Sequence, residues 1–361
     1  MPSQLLFNLA AFTWPLYQLT ELPLNLPVRI YGFDFLLIAC ALLSLFSNKK
    51  KSQLQKPILL FSGIALISIF GAKYANPHLS LFPIIFSSLY LLRFLLYASI
   101  IYFSPSVKPY FLRSLYLIPL LGLAQYILLP DLRFLKTFGF DDHYYRLTIP
   151  FLDPNYTGAA LSFIALITLS NLKSKKSIFL ILFSLLALAL TFSRASYFSF
   201  LLGLSILIIK RRYLIILPLA LVLLIVFSPK PFGEGVNLLR TYSITSRLED
   251  SEKALQLTKL NPLTGVGFNT LKYYQKITNS RAASGISNTY LFILATTGIA
   301  GLIAFIYLLY SIFRVTKYNT YLLSAFCSLL IHAFFNNTLF YAPITVLLFL
   351  SLVVFKENTS P

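Results

Sequence analysis

The chain has 361 residues, of which 57% are hydrophobic and only 11% are charged, whereas soluble domains carry about 25% charged residues. This composition excludes a soluble globular protein. The net charge of +19 would suggest a nucleic-acid partner in a soluble chain, so the location of the basic residues decides its meaning. Cys40 and Cys327 lie in apolar runs and are interpreted as core residues rather than as a disulfide or metal ligands.

Long apolar runs follow one another along the chain, and each is close to the roughly 20 residues that a helix needs to cross a bilayer. Because backbone polar groups in lipid must be satisfied within the segment, runs this continuous are helices. The sequence therefore predicts an all-α, polytopic integral membrane protein with about twelve transmembrane helices. The predicted spans are 4–20, 30–47, 57–76, 81–103, 111–130, 155–171, 177–193, 195–209, 213–228, 288–313, 320–335 and 342–355.

The first predicted span, 4–20, differs from the others because Trp14, Pro15 and Gln18 interrupt it. It can also be interpreted as a re-entrant or interfacial segment. Since it has neither a basic start nor a small-residue cleavage site, it is not predicted to be a cleaved signal peptide.

Basic residues cluster in every second connection between the predicted spans. These residues are Lys49, Lys50, Lys51 and Lys56; Lys108; Lys173, Lys175 and Lys176; Lys210, Arg211 and Arg212; Arg314 and Lys317; and Lys356. Short loops rich in Lys and Arg are cytoplasmic, so both termini are predicted in the cytoplasm of a multi-pass protein of the cytoplasmic (inner) membrane. Most of the positive charge is then explained by topology, and the argument for nucleic acid falls away.

The two longest hydrophilic stretches, 131–153 and 229–286, are predicted to face outward from a single membrane domain that comprises residues 1–361. The longer one carries eight basic and four acidic residues, a net charge of +4. A loop of this length is not constrained by the positive-inside rule. Its basicity therefore indicates an anionic ligand, such as a lipid headgroup or a phosphate.

Within the long outer loop, Ser246 to Glu249 has the pattern of a capping box that begins a helix ending near Leu260. The predicted apolar side of this helix consists of Leu248, Leu255, Leu257 and Leu260. Gly265-Val-Gly267 then predicts either an ordinary tight turn or a turn whose backbone amides bind phosphate.

Two arginines lie where a charge is costly. Arg194 occupies a very short outward connection, where its guanidinium needs an anion, water or backbone carbonyls unless it snorkels to the headgroups. Arg93 lies near the middle of the fourth span and is expected to pair with Asp34 or to line a polar cavity.

The histidines give weaker signals. His143 beside Asp141 and Asp142 lacks the ligand spacing of a metal site, so a solvated turn is predicted. His332 precedes Asn336 and Asn337 in the eleventh span and is either a hydrogen-bonded helix-packing group or part of a polar cavity.

Short motifs between residues 140 and 350 together resemble those of the O-antigen ligase and O-antigen polymerase superfamily of polytopic membrane glycosyltransferases. The first two motifs are an Arg-containing stretch that ends in Asp-Pro-Asn (Arg146 to Asn155) and Phe-Ser-Arg-Ala (Phe192 to Ala195). The third is a helix that begins with Arg and is followed by Pro-Leu-x-Gly-x-Gly-Phe (Arg247 to Phe268). The last two are Asn-x-Tyr-Leu with Thr-Gly-Ile-x-Gly-Leu (Asn288 to Leu302) and His332-Ala-Phe-Phe-Asn336. Their order and their shared position at the outer face make the resemblance specific.

The resemblance implies a glycan donor on polyprenyl pyrophosphate, transferred in the outer leaflet to a glycan or lipid acceptor without a cofactor and without a metal. Departure of the lipid pyrophosphate builds negative charge, and a planar guanidinium matches phosphate oxygens bidentately. The predicted catalytic residues are Arg194, Arg247, Ser287 and His332. The predicted substrate-binding residues are Arg146, Asn155, Gly265, Gly267, Arg281, Asn288 and Tyr290. Expected partners are the lipid bilayer, the donor, the acceptor and other envelope polysaccharide assembly proteins.

Ser287 departs from the family pattern. In the ligases a His stands at this position, where it is associated with activating the acceptor, and an unassisted Ser is a poor base. The sequence leaves as alternative bases His143, His332, Glu249, Asp250 and Glu252. Alternatively, charge stabilisation by arginine carries most of the rate. The departure favours a polymerase, or a ligase for another acceptor, over a ligase that acts on lipid A-core.

Two other functions compete with the predicted extracytoplasmic transferase of surface polysaccharide biosynthesis. A transporter or flippase of lipid-linked glycans would carry polar groups through the depth of its spans, whereas Arg93 and Asp34 are nearly all the mid-membrane charge here. A non-catalytic assembly factor for envelope polymers would use the long outer loop to dock a partner.

Overall fold

The computed structural model describes residues 2–23, 28–45, 52–75, 79–231, 233–274 and 285–355, which form α-helices joined by turns and short 3-10 helices. The helices are α1 (Pro2–Thr13), α2 (Gly32–Leu45), α3 (Gln55–Ala75), α4 (Leu81–Ala98), α5 (Lys108–Ser114), α6 (Leu117–Leu128), α7 (Pro154–Thr168), α8 (Lys175–Leu190), α9 (Arg194–Lys210), α10 (Ile216–Phe227), α11 (Tyr242–Leu260), α12 (Leu271–Tyr274), α13 (Thr289–Thr316), α14 (Thr320–His332) and α15 (Ala342–Phe355). The prediction of an all-α protein is confirmed for this part of the chain.

Within the described ranges, four helical segments are long and apolar enough to cross a membrane: Gln55–Lys73, Leu81–Tyr102, Pro105–Leu128 and Thr289–Thr316. Large apolar side chains stay exposed on them, including Phe70 at 59% and Leu92 at 58%, as lipid-facing positions require. Each predicted span contains helix, but several of these helices are shorter than a bilayer crossing, so the count of about twelve spans stays a prediction. In the first span α1 changes to a 3-10 helix at Trp14, where the sequence indicates an interruption.

Helix α7 lies at the centre of the fold and is buried over most of its length. It packs against α8, α9 and α14, and small residues permit the close approach. The Ser162 hydroxyl donates to Ser196 O across 3.1 Å, and the Ser324 hydroxyl donates to Gly203 O across 2.7 Å. This packing brings the first residues of α7 and α9 to the same end of the bundle as the last residue of α14.

The buried charges near α2 and α4 form the pair that the sequence suggests. Arg93 Nη2 lies 3.1 Å from Asp34 Oδ2, and the hydroxyls of Tyr17 and Tyr97 donate to Asp34 Oδ1 at 3.2 Å and 3.0 Å. A buried ion pair needs such additional hydrogen bonds because desolvation opposes it. These contacts confirm a structural pair. Both cysteines are free, as predicted.

Backbone hydrogen bonds attach the later part of the long outer loop to a kink in α13, and we call this contact the backbone joint. At the kink Gly298 has φ 67°. Across it, the amides of Val266 and Gly267 donate to the carbonyls of Ala295 and Thr296 at 3.0 Å and 2.9 Å, and the amide of Ile299 donates back to Pro262 O at 2.9 Å. A Cβ on Gly298 would lie 2.3 Å from the carbonyl carbon of Leu263. Glycine is therefore required at the kink, by both its φ and the space available.

Replacement of Gly298 by Ala should destabilise the protein by about 3 kcal/mol, because a side chain would meet both an unfavourable φ and the backbone of the loop. Thermal unfolding of the purified protein in detergent measures the change. Gly63→Ala in α3 is the matched control, since no atom lies within 4 Å of the added Cβ. The control should keep or slightly raise the melting temperature, and a Gly298→Ala variant that melts with it would contradict the joint.

Candidate functional site

Three helix N-termini meet at one end of the bundle. Each begins after a capping side chain. The Asp153 carboxylate accepts from the amides of Asn155 and Tyr156, and the Ser193 hydroxyl accepts from the amide of Ser196. The side-chain oxygen Oδ1 of Asn288 accepts from the amides of Tyr290 and Leu291. These are the residue types that cap helices, and Pro154 follows Asp153 at a favoured position. The aligned peptide dipoles give this end of the bundle a positive potential.

Side-chain hydrogen bonds join these helix ends to one another. The Ser193 hydroxyl donates to Asn155 Oδ1 at 2.9 Å, and the Ser196 hydroxyl to Asn155 O at 3.1 Å. Asn288 Nδ2 donates to Phe334 O at 3.0 Å. The starts of α7, α9 and α13 and the segment after α14 therefore form one surface.

Arg194 and Arg247 are held side by side on this surface by Ser243. Arg194 Nη2 donates to the Ser243 hydroxyl at 2.7 Å, while Arg247 Nη1 donates to Ser243 O at 3.1 Å. A second carbonyl fixes each guanidinium: Leu238 O accepts from Arg194 at 3.0 Å and Phe335 O from Arg247 at 2.8 Å. We call these two residues the arginine pair.

No carboxylate neutralises the arginine pair within the part of the chain that the structure describes. Burial and the charge of Arg194 lower the pKa of Arg247, and the charges of Asp153 and Asp250 oppose this effect without forming an ion pair. Two neighbouring cations whose charge is incompletely balanced favour an anionic ligand. The geometry is therefore compatible with an anion site.

Arg146 supports the turn that carries Arg194. Its Nε donates to Thr191 O at 2.9 Å and its Nη2 to Phe192 O at 3.4 Å, while Arg240 Nη2 donates to Phe192 O at 3.1 Å. Phe192 has φ 48°. Burial lowers the pKa of Arg146 to about 9, with the charge of Arg240 adding to the effect. Arg146 thus lies behind the turn, at 6% exposure, where it positions Arg194.

Ser287 contacts a carboxylate of the long outer loop. Its amide and its hydroxyl both donate to Asp250 Oδ2, at 3.2 Å and 2.8 Å. Asp250 lies one helical turn after Arg247 on α11, so the Ser287 position adjoins the arginine pair.

His332 is fully buried beneath this surface. Its Nε2 lies 3.2 Å from the Ser196 hydroxyl and its Nδ1 lies 2.7 Å from the Thr338 hydroxyl. Since both ring nitrogens have partners, the geometry favours the helix-packing interpretation. Tyr290 also makes a packing contact, because its hydroxyl donates to Leu330 O at 2.9 Å.

Residues 179–306 match the O-antigen ligase family model. This match confirms the resemblance to the O-antigen ligase and polymerase superfamily. A comparison with curated proteins gives no significant match. Together with the membrane-length helices, the match over this region fits an integral membrane protein that is similar to the O-antigen ligases. The matched region includes the arginine pair, Asp250 and Ser287.

Two glycines that were predicted to bind substrate lie elsewhere in this O-antigen ligase-like region. The Gly265 amide donates to Asn261 O at 2.8 Å, and the Gly267 amide donates to Thr296 O within the backbone joint. The Phe268 amide donates to Ser68 Oγ at 2.9 Å. Because these amides already have protein acceptors, the geometry favours a structural turn over phosphate binding. Arg281 lies outside the described residues.

Helix α11 differs from its prediction. It begins at Tyr242 rather than at Ser246, and Thr241 precedes it without a side-chain capping bond. The capping-box prediction is therefore wrong, because residues before Ser246 already continue the helix. Most side chains of the predicted apolar side are also exposed, and Leu248 has 65% of its surface exposed. Ala254 is the residue of this helix that is buried against the core.

His143 was predicted to lie in a solvated turn, which is wrong. Its side chain is only 7% exposed, and its Nε2 has no hydrogen-bond partner. Burial, together with the charges of Arg146 and Arg240, lowers the pKa of His143 to about 3. Among the residues that the structure describes, no three His, Cys, Asp or Glu side chains are grouped as metal ligands.

The sequence analysis identifies neither Ser243 nor the capping role of Asp153. Ser243 gives no sequence signal, since it joins two arginines that are 53 residues apart only after folding. Asp153 was seen as part of Asp-Pro-Asn, and its place before Pro154 is typical of a helix cap. Burial and the charge of Asp141 raise the pKa of Asp153 above its ordinary value.

Acidification should destabilise the protein through His143. The unfolded chain takes up a proton near pH 6.5, whereas the folded state resists protonation until its lowered pKa of about 3. Stability should thus be lost progressively as the pH falls below 6.5. Between pH 6.5 and 5 the loss from this group is about 2 kcal/mol.

The measurement compares unfolding of the wild type and His143→Phe in detergent at pH 7 and at pH 5. The variant cannot titrate at this position, so it should lose about 2 kcal/mol less stability than the wild type. Equal losses in the two proteins would contradict a buried neutral His143.

Proposed function

We propose that this protein is a metal-independent membrane glycosyltransferase that polymerises or transfers polyprenyl-pyrophosphate-linked oligosaccharide. The reaction takes place on the extracytoplasmic face during surface polysaccharide biosynthesis. The arginine pair is the observation that carries the proposal, because Ser243 holds two guanidinium groups together without a neutralising carboxylate among the described residues.

The chemistry needs such a pair. When the bond between the anomeric carbon and the pyrophosphate breaks, the electron pair leaves on a phosphate oxygen. Two fixed guanidinium forks can stabilise this developing charge without reorganising, and they present parallel N–H donors to phosphate oxygens. Arg194 and Arg247 therefore take the part that a metal ion takes in other transferases. The positive helix N-termini add to the same field.

The long outer loop, residues 229–286, is the proposed catalytic element, and the smaller outer loop, 131–153, supports it through Arg146. The polyprenyl tail of the donor lies along the apolar helix surfaces in the bilayer. The acceptor is a glycan or a lipid, and other envelope polysaccharide assembly proteins are proposed partners. The protein lies in the cytoplasmic membrane with about twelve spans and with both termini in the cytoplasm.

Loss of either member of the arginine pair should abolish most of the activity. Arg194→Ala and Arg247→Ala should each lower turnover by about 10²- to 10³-fold, the usual effect of removing one donor to a developing anion. The assay incubates purified protein with lipid-linked oligosaccharide extracted from the organism that makes the protein. The products are resolved as polymer, transferred glycan and unreacted substrate.

Lys253→Ala and Arg133→Ala are the matched controls, because each removes an exposed outer cation without touching the pair. Both should keep wild-type turnover. Inorganic pyrophosphate should raise the melting temperature of the wild type and of both controls. It should not raise that of the Arg194→Ala and Arg247→Ala variants. Full turnover in either variant would refute the anion site, and glycan movement that requires an ion gradient would support a transporter instead.

Cysteine labelling tests the topology. In a background with Cys40 and Cys327 replaced by Ala, a cysteine at exposed Gln256 should react with a membrane-impermeant maleimide in intact spheroplasts. A cysteine at exposed Lys173 should react only after permeabilisation. The reverse pattern would contradict the predicted orientation.

A further inference from the structure

The contact between Asp250 and Ser287 is the strongest feature that the proposed function leaves unused. Asp250 lies on α11 and Ser287 precedes α13, so the contact joins two elements that are far apart in sequence. Both side chains are half-buried at the outer end of the bundle. Both donors of Ser287 converge on one carboxylate oxygen, Oδ2, at 3.2 Å and 2.8 Å.

The other carboxylate oxygen, Oδ1, accepts no hydrogen bond from any residue that the structure describes. Oδ2 is held in place by two donors, so the orientation of the carboxylate plane is fixed while Oδ1 takes no part in these contacts. A carboxylate that neighbouring donors hold in place through one oxygen can accept a proton at its other oxygen.

The arginine pair lies beside this carboxylate. Asp250 follows Arg247 by three residues on α11, which places the two side chains on the same helix face. Their charges interact electrostatically but form no ion pair in the described structure. A substrate whose pyrophosphate contacts the arginine pair therefore brings its reacting carbon to the neighbourhood of Asp250.

The remaining candidate bases are less suitable. His332 is fully buried, with partners at both ring nitrogens, and the lowered pKa of His143, about 3, makes it a poor proton acceptor. Glu249 and Glu252 are exposed on the outward side of α11. Asp250 alone among these five groups contacts the Ser287 position.

We infer that Asp250 is the general base that activates the acceptor hydroxyl, with Ser287 as the residue that positions it; this inference rests on the proposed function. The acceptor is a sugar hydroxyl whose proton passes to Asp250 Oδ1. The acceptor oxygen then bonds to the anomeric carbon of the donor, and the carbon–oxygen bond to the lipid pyrophosphate breaks. Its electron pair leaves on the pyrophosphate beside the arginine pair, and Asp250 releases the proton to water.

Asp250→Asn keeps an oxygen that accepts from Ser287 but cannot take up a proton. Turnover should fall by at least about 10²-fold, the usual contribution of a general base. Stabilisation of the protein by pyrophosphate should be kept or increased, because the substitution removes a negative charge beside the arginine pair. Glu249→Gln, which removes an exposed carboxylate from the same helix, is the control and should retain wild-type turnover. Turnover of Asp250→Asn within threefold of the control would overturn the inference.

Azide rescue provides a readout that a structural role would not change. Azide needs no deprotonation, so in Asp250→Ala it should displace the lipid pyrophosphate from the anomeric carbon and yield a glycosyl azide. Absence of this product, with pyrophosphate stabilisation intact, would overturn the inference. If Asp250→Asn does not fold, Asp250→Glu and Asp250→Gln replace it. The Glu variant should then be at least about tenfold more active, and equal activity would overturn the inference.

These results separate the two proposals. A wild-type protein that turns over no lipid-linked glycan counts against the proposed function itself. A wild type that is active, with an equally active Asp250→Asn, counts only against the role of Asp250. Ser287→Ala should reduce turnover less than Asp250→Asn, because the Ser287 amide still holds Oδ2; an equal or larger loss would overturn the assignment of Ser287 as the positioning residue.

Discussion

The proximity of two guanidinium groups at one end of the bundle is the constraint on which the site depends. Like charges repel, and partial burial adds a desolvation cost, as the lowered pKa of Arg247 indicates. The fold offsets this cost with carbonyl acceptors from Leu238, Ser243 and Phe335 rather than with a bonded carboxylate. An ion pair would occupy the donors that a phosphate needs. The arrangement keeps those donors out of ion pairs with the described carboxylates, as the proposed anion site requires.

The rest of the architecture serves to maintain that proximity. Close packing of α7, α9 and α14 through small residues sets the position of Arg194. Arg146 and Arg240 hold the turn before it from behind. The backbone joint at Gly298 attaches the long outer loop to α13, and α11 with Arg247 precedes that joint. The pair is thus assembled from a membrane helix and a loop helix that are each fixed by their own contacts.

Much of the fold could be predicted from the sequence because hydrophobic length and positional charge are local properties. Arg194 is a candidate because a guanidinium at that depth is costly without a ligand, and Arg247 is a candidate because the resemblance implies a pyrophosphate leaving group. A local pattern does not decide between two interpretations where tertiary contacts compete with it. Gly265 and Gly267 have the pattern of a phosphate-binding turn, yet their amides are used within the protein, at the loop itself and at α13. Ser243 and the partner of Ser287 depend on contacts between distant segments, which spacing along the chain does not encode.

The most direct test of the central claim is a cryo-electron microscopy structure of the protein with a bound polyprenyl-pyrophosphate-linked oligosaccharide in a lipid nanodisc. We predict that the pyrophosphate lies between Arg194 and Arg247, with both guanidinium groups within hydrogen-bond distance of its oxygens and Ser243 still between them. A donor whose pyrophosphate is bound elsewhere, or an Arg247 that has turned to form an ion pair with Asp153 or Asp250, would contradict this account.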